Sequence, residues 1–585
     1  MSEIDAPATF ALRQRPGGSG RLANRWAAWR AGLARSAQGF ISQPEPRFIG
    51  TASRGRQLLA GNLSFAGVLV QTNGNTLWDV ACPNDAFEDE LHGFGWLDDL
   101  ASAGDPPARK LAQRWLAEWI NRYGRGRGPG WTPDLTGRRQ IRWITHALFL
   151  MNGQDSRESR MFYAALARQT VFLSSRWKAT SHGLPRFEAL SGLIYSACSL
   201  TGMETHLAPA LRGLAHECSR EIDASGGIVT RNPEELLEVF SLLTWTAAIM
   251  AETGKRSDPA VDTAIMRIAP TLRSLRHSDG NLARFHGGGR GADGRLDRAL
   301  QQSGVRPSRV SGLAMGFARL QGGRVSVIID AAPPMMGPAS FNAHACTLAF
   351  EMTSGRRPVI VNCGSGASFG AEWRRAGRAS ASHSTLAIDG YSSARLGKRA
   401  AGQGVVRQEL EAGPGKVDLQ AHESGASRAL ALSHDGYRET HGLLHLRSLS
   451  LEGDGRLLRG EDGLAAMTER DRATLDRVLV RRGPDQGIKY TVRFQLHPDV
   501  EARIDMGGLA VSLSLRGGET WVFRHGGEGE LRLEPSVYLE SGRLVPRATK
   551  QIVLFARLTD YGSAVSWTLA KPADAPYAHR DYDTQ

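Results

Sequence analysis

The sequence predicts two large domains, an all-helical one followed by an antiparallel β-sandwich, and three observations predict it. The 585 residues exceed what a single hydrophobic core organises. Between about 85 and 285 the apolar residues recur at helical spacing, and after about 310 they recur every second residue. The expected division is an Arg-rich N-terminal arm over 1–45, a helical domain over 46–300 and a β-sandwich over 301–585. With 41% hydrophobic and 22% charged residues, the chain has the composition of a globular protein, which excludes extended disorder outside short tails.

Residues 1–45 mix Arg, Gly, Ser and Ala, with an Arg-rich amphipathic piece around 21–37, and read as an arm and not as a core element. A helix is expected after His182, with Phe187, Leu190, Ile194 and Ala197 as its inner stripe. Another is expected over 236–250, where Leu236, Val239, Phe240, Leu243, Ala247 and Met250 share a face. Its start is well marked. Asn232 is a natural N-cap, Pro233 fits the first helical position, and Glu234 and Glu235 oppose the helix dipole. The Gly-rich stretch RFHGGGRGADGR at 284–295 reads as the connection between domains. Beyond it, Tyr490, Val492, Phe494 and Leu496 alternate with polar residues, and Leu509, Val511, Leu513 and Leu515 repeat the pattern. Short strands with Gly- and Asp-containing turns between them imply sheets packed face to face.

The net charge of +13 and pI near 9.8 favour an anionic partner. Nucleic acid, an anionic membrane and an acidic polysaccharide all qualify, as does a merely solvated Arg-rich surface. Basic runs such as RYGRGRG (122–128) and GRRQIR (137–142) come without an RRM, zinc-finger or KH signature, which argues against nucleic acid. The five cysteines (Cys82, Cys198, Cys218, Cys346, Cys363) lack paired spacing and read as small buried side chains. No stretch reaches the roughly 18 uninterrupted apolar residues of a membrane span. The opening residues lack the charged start and apolar run of a signal peptide, so the cytoplasm is the expected compartment.

Several segments carry a more specific signal. In the second half these are NAHACTLAFEM (342–352), VIVNCGSG (359–366), RASASHSTLAIDG (378–390), SHDGY (433–437) and RFQLHP (493–498). In the first half they are WTPDLTGRRQIRWI (131–144), SHGLPRFEAL (181–190) and SGGIVTRNPEELLE (225–238). In this order they resemble the heparinase II/III family of polysaccharide lyases. The resemblance implies an incomplete (α/α) toroid, an antiparallel β-sandwich and a substrate cleft between them. It also implies β-elimination on an acidic, uronate-containing poly- or oligosaccharide, such as a glycosaminoglycan, in the periplasm or cell envelope. Such chemistry needs a group that neutralises the uronate carboxylate, a base for the C5 proton and an acid for the leaving oxygen.

The resemblance also assigns residues. His182 lies where the family has a substrate-contacting group, with Ser181 where an Asn is frequent. Glu235 stands at or beside the place of a catalytic Tyr, and helix capping is its competing role. His344 matches the second His of a His-x-His pattern whose first position is Asn342, a residue that can hold a carboxylate yet does not transfer protons at neutral pH. His344, Asn362 and His383 align with a metal site of two His and an Asp, so zinc or another divalent cation is the expected cofactor, weakened by the Asn. His434 and Tyr437 are the further proton-transfer candidates, set against a plain Asp-Gly turn. Arg142, Arg374 and Arg378 are candidates for sugar carboxylates or sulfates. Glu188 reads as an ordinary polar helix position, and Trp131 and Trp373 suit either sugar stacking or the core. Two functions follow: a lyase, or a carbohydrate-binding protein of the same fold whose catalysis is impaired by Ser181, Glu235 and Asn342.

Overall fold

From Gly18 to Gln302 the chain is built almost wholly of helices. In the computed structural model, residues 16–34, 37–308, 310, 312–398, 400–402, 405–424, 427–483, 486–527 and 529–572 are described. Helices α1 (Gly18–Ala31) and α2 (Ala52–Leu59) come first, then a hairpin of β1 (Asn62–Phe65) and β2 (Val68–Gln71). There follow α3 (Asp85–Gly93), α4 (Gly95–Ala103), α5 (Pro106–Tyr123), α6 (Pro133–Thr145), α7 (Ala147–Met151) and α8 (Ser156–Arg176). The helical region closes with α9 (Leu184–Ser199), α10 (Leu207–Glu221), α11 (Pro233–Glu252), α12 (Pro259–Ser274) and α13 (Arg295–Gln302). Local chemistry sets many of the starts. Asn84, Asp105, Asp155, Asn232 and Asp258 each accept a first-turn backbone N–H, and Pro opens α5, α6, α11 and α12.

Helix α9 departs from the single inner stripe that its sequence suggests. Phe187 to Ser199 are buried without a break, because α6, α8, α10 and α11 all pack against it. It meets α6 backbone to backbone, since a Cβ at Gly192 would lie 2.4 Å from the Gly137 Cα. The β1–β2 hairpin is also outside an all-helical reading. Its turn places Ala66 and Gly67 at φ 49° and 77°, the left-handed pair that lets a two-residue connection match strand twist.

The arm expected over 1–45 is corrected from Gly18 onward. Helix α1 docks on α8 through Asn24, Ala27, Ala28 and Ala31, and the Asn24 amide donates to the Trp131 carbonyl at 3.0 Å. Small residues allow that close approach, which composition alone does not reveal.

The second half contains β3 (Phe317–Gly322), β4 (Val325–Asp330), β5 (Phe350–Ser354), β6 (Arg357–Val361), α14 (Ala371–Gly377), β7 (Leu386–Ile388) and β8 (Arg395–Leu396). It continues through β9 (Ala400–Gly402), β10 (Val405–Arg407), β11 (Leu410–Ala412), β12 (Val417–Ser424), β13 (Ser427–Tyr437), α15 (Arg438–His441), β14 (Leu443–Leu451) and β15 (Leu457–Ala465). It ends with α16 (Glu469–Arg482), β16 (Ile488–Leu496), β17 (Val500–Asp505), β18 (Ala510–Leu515), β19 (Thr520–Gly526), β20 (Glu530–Tyr538), β21 (Arg547–Leu558) and β22 (Gly562–Ala570). One sheet runs β12-β13-β14-β15-β22-β19-β18-β17, the other β20-β21-β16-β6-β5-β4-β3 with β7 also on β16. All these pairings are antiparallel. The alternation expected in 490–496 is that of β16, whose Tyr490, Val492, Phe494 and Leu496 are buried. Trp567 of β22 stacks on Phe350 of β5, centroids 5.8 Å apart, and joins the two inner faces. The architecture is α+β, a helical region followed by an antiparallel sandwich.

The Gly-rich stretch is not the whole connection. After it the chain forms α13, and only at Phe317 does it enter the sandwich. Several side chains bridge the two halves, Arg284 and Arg319 among them, and Arg231, just before α11, makes a dense set of such bonds. Its guanidinium donates to the carbonyls of Met315, Gly316, Ala332 and Pro333 and to Asp330 at the end of β4, the last at 2.5 Å.

Candidate functional site

The turn His286–Gly289 brings groups from both halves together. A Cβ at Gly287 would lie 3.1 Å from that of Asn342, and one at Gly288 would lie 2.4 Å from the Asn232 side-chain oxygen. One at Gly289 would lie 3.0 Å from a Glu234 carboxylate oxygen. Only residues without a side chain let the N-terminus of α11 and the Asn342 segment approach so closely. Asn342, half-buried, accepts from Arg374 of α14 at 3.2 Å, and the same Arg374 nitrogen donates to the Phe341 carbonyl at 2.7 Å. Burial lowers the Arg374 guanidinium to about 10.

The helical side of this region is lined by carboxyl groups. Asn232 caps α11 as its sequence predicts, accepting from the backbone N–H groups of Glu234 and Glu235 at 3.0 and 3.2 Å. Those N–H groups are thereby satisfied by Asn232, so neither Glu side chain is needed for that task. Glu234 accepts from the Gly289 N–H at 2.5 Å, and Glu235 accepts from the Thr230 hydroxyl at 3.0 Å. Burial raises both carboxyls to about 7, and for Glu235 the neighbouring Glu188 and Glu221 push the same way. Glu188, expected to be an ordinary helix position, is buried and pairs with Arg138. His182 stands at the entrance to α9 with its side chain 35% exposed. Its Nδ1 is 3.0 Å from Glu217, whose other oxygen accepts the Gly183 N–H at 2.8 Å. Arg186 reaches the same ring. Ser181 is exposed, and the α9 N-cap is Gly183.

On the sandwich side lies a run of buried imidazoles. His383 Nδ1 faces the Ala379 carbonyl at 2.8 Å and so carries the proton; its Nε2 then accepts from His344 Nδ1 at 3.0 Å. Burial, and for His344 the adjacent His383, keeps both rings neutral, with His383 lowered to about 4 and His344 well below its ordinary value. The His344 backbone N–H donates to His286 Nδ1 at 3.3 Å. His286, Asp330 and Cys346 form a fully buried trio, with the thiol donating to Asp330 at 3.1 Å. Burial works to raise Asp330, yet Arg231 and His286 hold it at about 2.

Of the donor set expected for zinc, His344 and His383 lie side by side, whereas Asn362 is engaged by other groups. The Asn362 amide nitrogen donates to Glu351 at 3.3 Å and its oxygen accepts the Ser384 N–H at 3.1 Å. The trio His286–Asp330–Cys346 is a poor substitute, because the Arg231 guanidinium already neutralises Asp330 and burial raises the Cys346 thiol well above its ordinary value.

The remaining expected residues are mostly bonded to partners of their own. His434 sits in β13, not in a turn, directly opposite His445 of β14. Its Nδ1 accepts the Gly436 N–H at 3.0 Å, its Nε2 faces His445 at 3.2 Å, and His445 Nε2 faces Asp462 at 3.0 Å. Arg447 and Trp567 complete the shell around that carboxylate. Tyr437 is 1% exposed, donates to the Leu386 carbonyl at 3.3 Å, and is raised by burial. Arg378 spends its nitrogens on the carbonyls of Ala343, Gln408 and Ser340 at 2.6–2.9 Å. Arg142 pairs with Asp98 at 2.8 Å beside His146. Trp131 belongs to the helical core, its indole N–H on the Tyr123 carbonyl at 2.7 Å, and Trp373 is 37% exposed on α14. As site residues, Arg231, Glu217, Glu234, His286 and Asp330 were not singled out from the sequence, where Glu234 stood out only for opposing the helix dipole. The one available hint was His286, immediately before three glycines.

Comparison with known proteins agrees with this architecture. Residues 305–568 match the family model described as heparinase II/III-like, C-terminal. FtsZ-localized protein C of Caulobacter vibrioides is 31% identical over 545 residues, covering 91% of this chain and 90% of the relative. A crystal structure of heparinase III superposes with TM-score 0.68 at 13% identity, over 95% of this chain and 90% of that one. The heparan sulfate lyase HepC of Pedobacter heparinus does so with TM-score 0.56 at 13% identity, over 94% and 88%. At such identity the two structures speak for the fold alone, but with the sandwich model and a relative alike over nearly its whole length, the chain belongs to the heparinase II/III family.

Proposed function

We propose that this chain is a carbohydrate-binding member of its family that holds an acidic poly- or oligosaccharide between its two halves and no longer performs the β-elimination. The observation that carries this reading is the state of the proton-transfer candidates. His434 and Tyr437 are sealed inside the sandwich, and Asn342, beside Arg374, has no proton to exchange at neutral pH. Asn342 and Arg374 still offer an amide and a guanidinium to a sugar carboxylate. The relative's name supports a setting as well: the chain would work where FtsZ is, which a fluorescent fusion imaged with labelled FtsZ tests directly.

A second reading, retained lyase activity, has one specific observation in its favour. A carboxyl raised to about 7, as in Glu235, is well matched to proton transfer at neutral pH. One experiment separates the two. The protein is mixed with a panel of uronate-containing oligosaccharides, with calorimetric binding and ultraviolet absorbance of the new C4=C5 double bond read in parallel. Heat without absorbance, with the heat lost in Arg374→Ala, supports binding alone. An absorbance rise overturns that reading in favour of the lyase, and neither signal overturns both.

A further inference from the structure

Helix α1 is amphipathic in the wrong sense for a helix that serves only to cover a core. The side it presses on the protein is small or polar: Asn24, Ala27, Ala28 and Ala31. The side it turns outward is large and apolar, with Leu22, Trp26 and Trp29 exposed by 68%, 59% and 61%, and Leu33 in the following turn by 73%. At ~100° per residue these four lie within roughly 60° of one another, opposite the docked face. Within the helical half, Trp96, Trp119, Trp131 and Trp143 are by contrast all under 4% exposed. A soluble helix normally shows the reverse arrangement, and a contiguous exposed apolar stripe marks an interaction surface.

The charges beside the stripe indicate what covers it. Arg25 lies on one flank and Arg30 on the other, both exposed, with the Arg30 guanidinium 5.1 Å from the Trp26 ring. The loop against which Ala28 packs, at Gly126, adds the exposed Arg125 and Arg127. Between Asp5 and Glu45 the chain has six arginines and no acidic residue. Tryptophan and leucine in the middle with arginine at the margins is the distribution that suits the headgroup–acyl boundary of an anionic bilayer. Among the described residues no helix is long and apolar enough to cross a membrane, and α1, with 14 residues, would lie in the surface plane.

We propose that the outward face of α1 (Leu22, Trp26, Trp29 and Leu33, bordered by Arg25 and Arg30) binds the surface of an anionic phospholipid bilayer without spanning it. The hydrogen bonds of Asn24 with the Trp131 carbonyl and with Arg176, at 3.0 and 2.8 Å, hold the helix to the body of the protein, so the whole chain is carried to the membrane.

The test is co-sedimentation of the full chain with vesicles of phosphatidylglycerol and phosphatidylcholine, beside vesicles of phosphatidylcholine alone. The expected result is pelleting with the anionic vesicles that weakens as salt is raised. The double substitution Trp26→Ser with Trp29→Ser should lower partitioning by ~10-fold or more, since each exposed ring contributes on the order of a tenfold factor. Its circular dichroism melting curve should match wild type, because both rings face outward. Arg25→Glu with Arg30→Glu should lose binding to anionic vesicles by ~10-fold. The proposal is overturned if wild type stays in the supernatant with both vesicle types, or if the Trp double variant pellets as well as wild type. It is equally overturned by sedimentation velocity that finds a dimer abolished by the Trp substitutions without vesicle binding, which would make the stripe a contact between two copies.

Discussion

Replacing Arg231 with Ala should weaken the junction of the helical half with the sandwich, and the structure lets the cost be worked through. Asp330 is fully buried, and its carboxyl is held at about 2, against 3.8 for an ordinary Asp, by Arg231 and His286 together. A folded-state value below the unfolded one adds stability that is present above about pH 4 and lost as pH falls toward 2. For this carboxylate it is worth ~2 kcal/mol at neutral pH. Removing the guanidinium also leaves the carbonyls of Met315, Gly316, Ala332 and Pro333 without this donor. Breaking a buried ion pair from one side costs about 3–5 kcal/mol, and that range is expected here. Urea unfolding followed by far-ultraviolet circular dichroism should move to a lower midpoint, with the largest loss at neutral pH and a smaller one near pH 3. Asp330→Asn added to Arg231→Ala should recover about 2 kcal/mol, because it removes the stranded charge. An unchanged midpoint for the single variant, or no recovery in the double, would refute the view that Arg231 clamps the two halves electrostatically.

Two further outcomes follow from the same contacts. Glu235→Gln should be neutral at pH 4 and stabilising by ~3 kcal/mol at pH 8. The wild-type carboxyl, raised from 4.5 to about 7, costs folding progressively as pH climbs through that window, and Gln has no charge to desolvate; equal midpoints relative to wild type at both pH values would count against it. Gly192→Ala should destabilise by about 1–3 kcal/mol, since its methyl would meet the Gly137 backbone at 2.4 Å, where no flexible side chain can give way; a melting curve like wild type would show that α6 and α9 are less tightly apposed than described.

The parts of the fold that were legible in the sequence are those set by local chemistry. Asn232-Pro233-Glu234-Glu235 spells a helix start, and Tyr490 to Leu496 spells a half-buried strand, with no need of distant partners. What was illegible depended on residues far apart in the chain. His434 in SHDGY reads as a turn residue until β14 places His445 opposite it and β15 supplies Asp462 beyond. Arg378 reads as a free cation until three backbone carbonyls converge on it. The arginine-rich first segment reads as an arm because its docking face is made of alanines, which carry no periodic signal strong enough to compete with the outward Trp and Leu.

The polar groups that hold this fold are bonded differently from the three positions, Ser181, Glu235 and Asn342, on which the proposed loss of chemistry rests. The buried polar groups are densely cross-bonded. Asp462 accepts from His445, Arg447 and Trp567, and Asp330 accepts from Arg231 and Cys346, with His286 adjacent. A substitution in either network strands several partners and costs stability heavily. Asn342 and Glu235 are tied far more lightly, each side chain accepting one described side-chain hydrogen bond, from Arg374 and Thr230 respectively. Ser181 is simply exposed. Exchange at these three positions therefore costs the fold little, and on the proposed reading these are the positions whose exchange would remove proton transfer to or from a sugar. On that reading such positions are free to drift under a framework that is not, and carbohydrate binding would outlast the β-elimination.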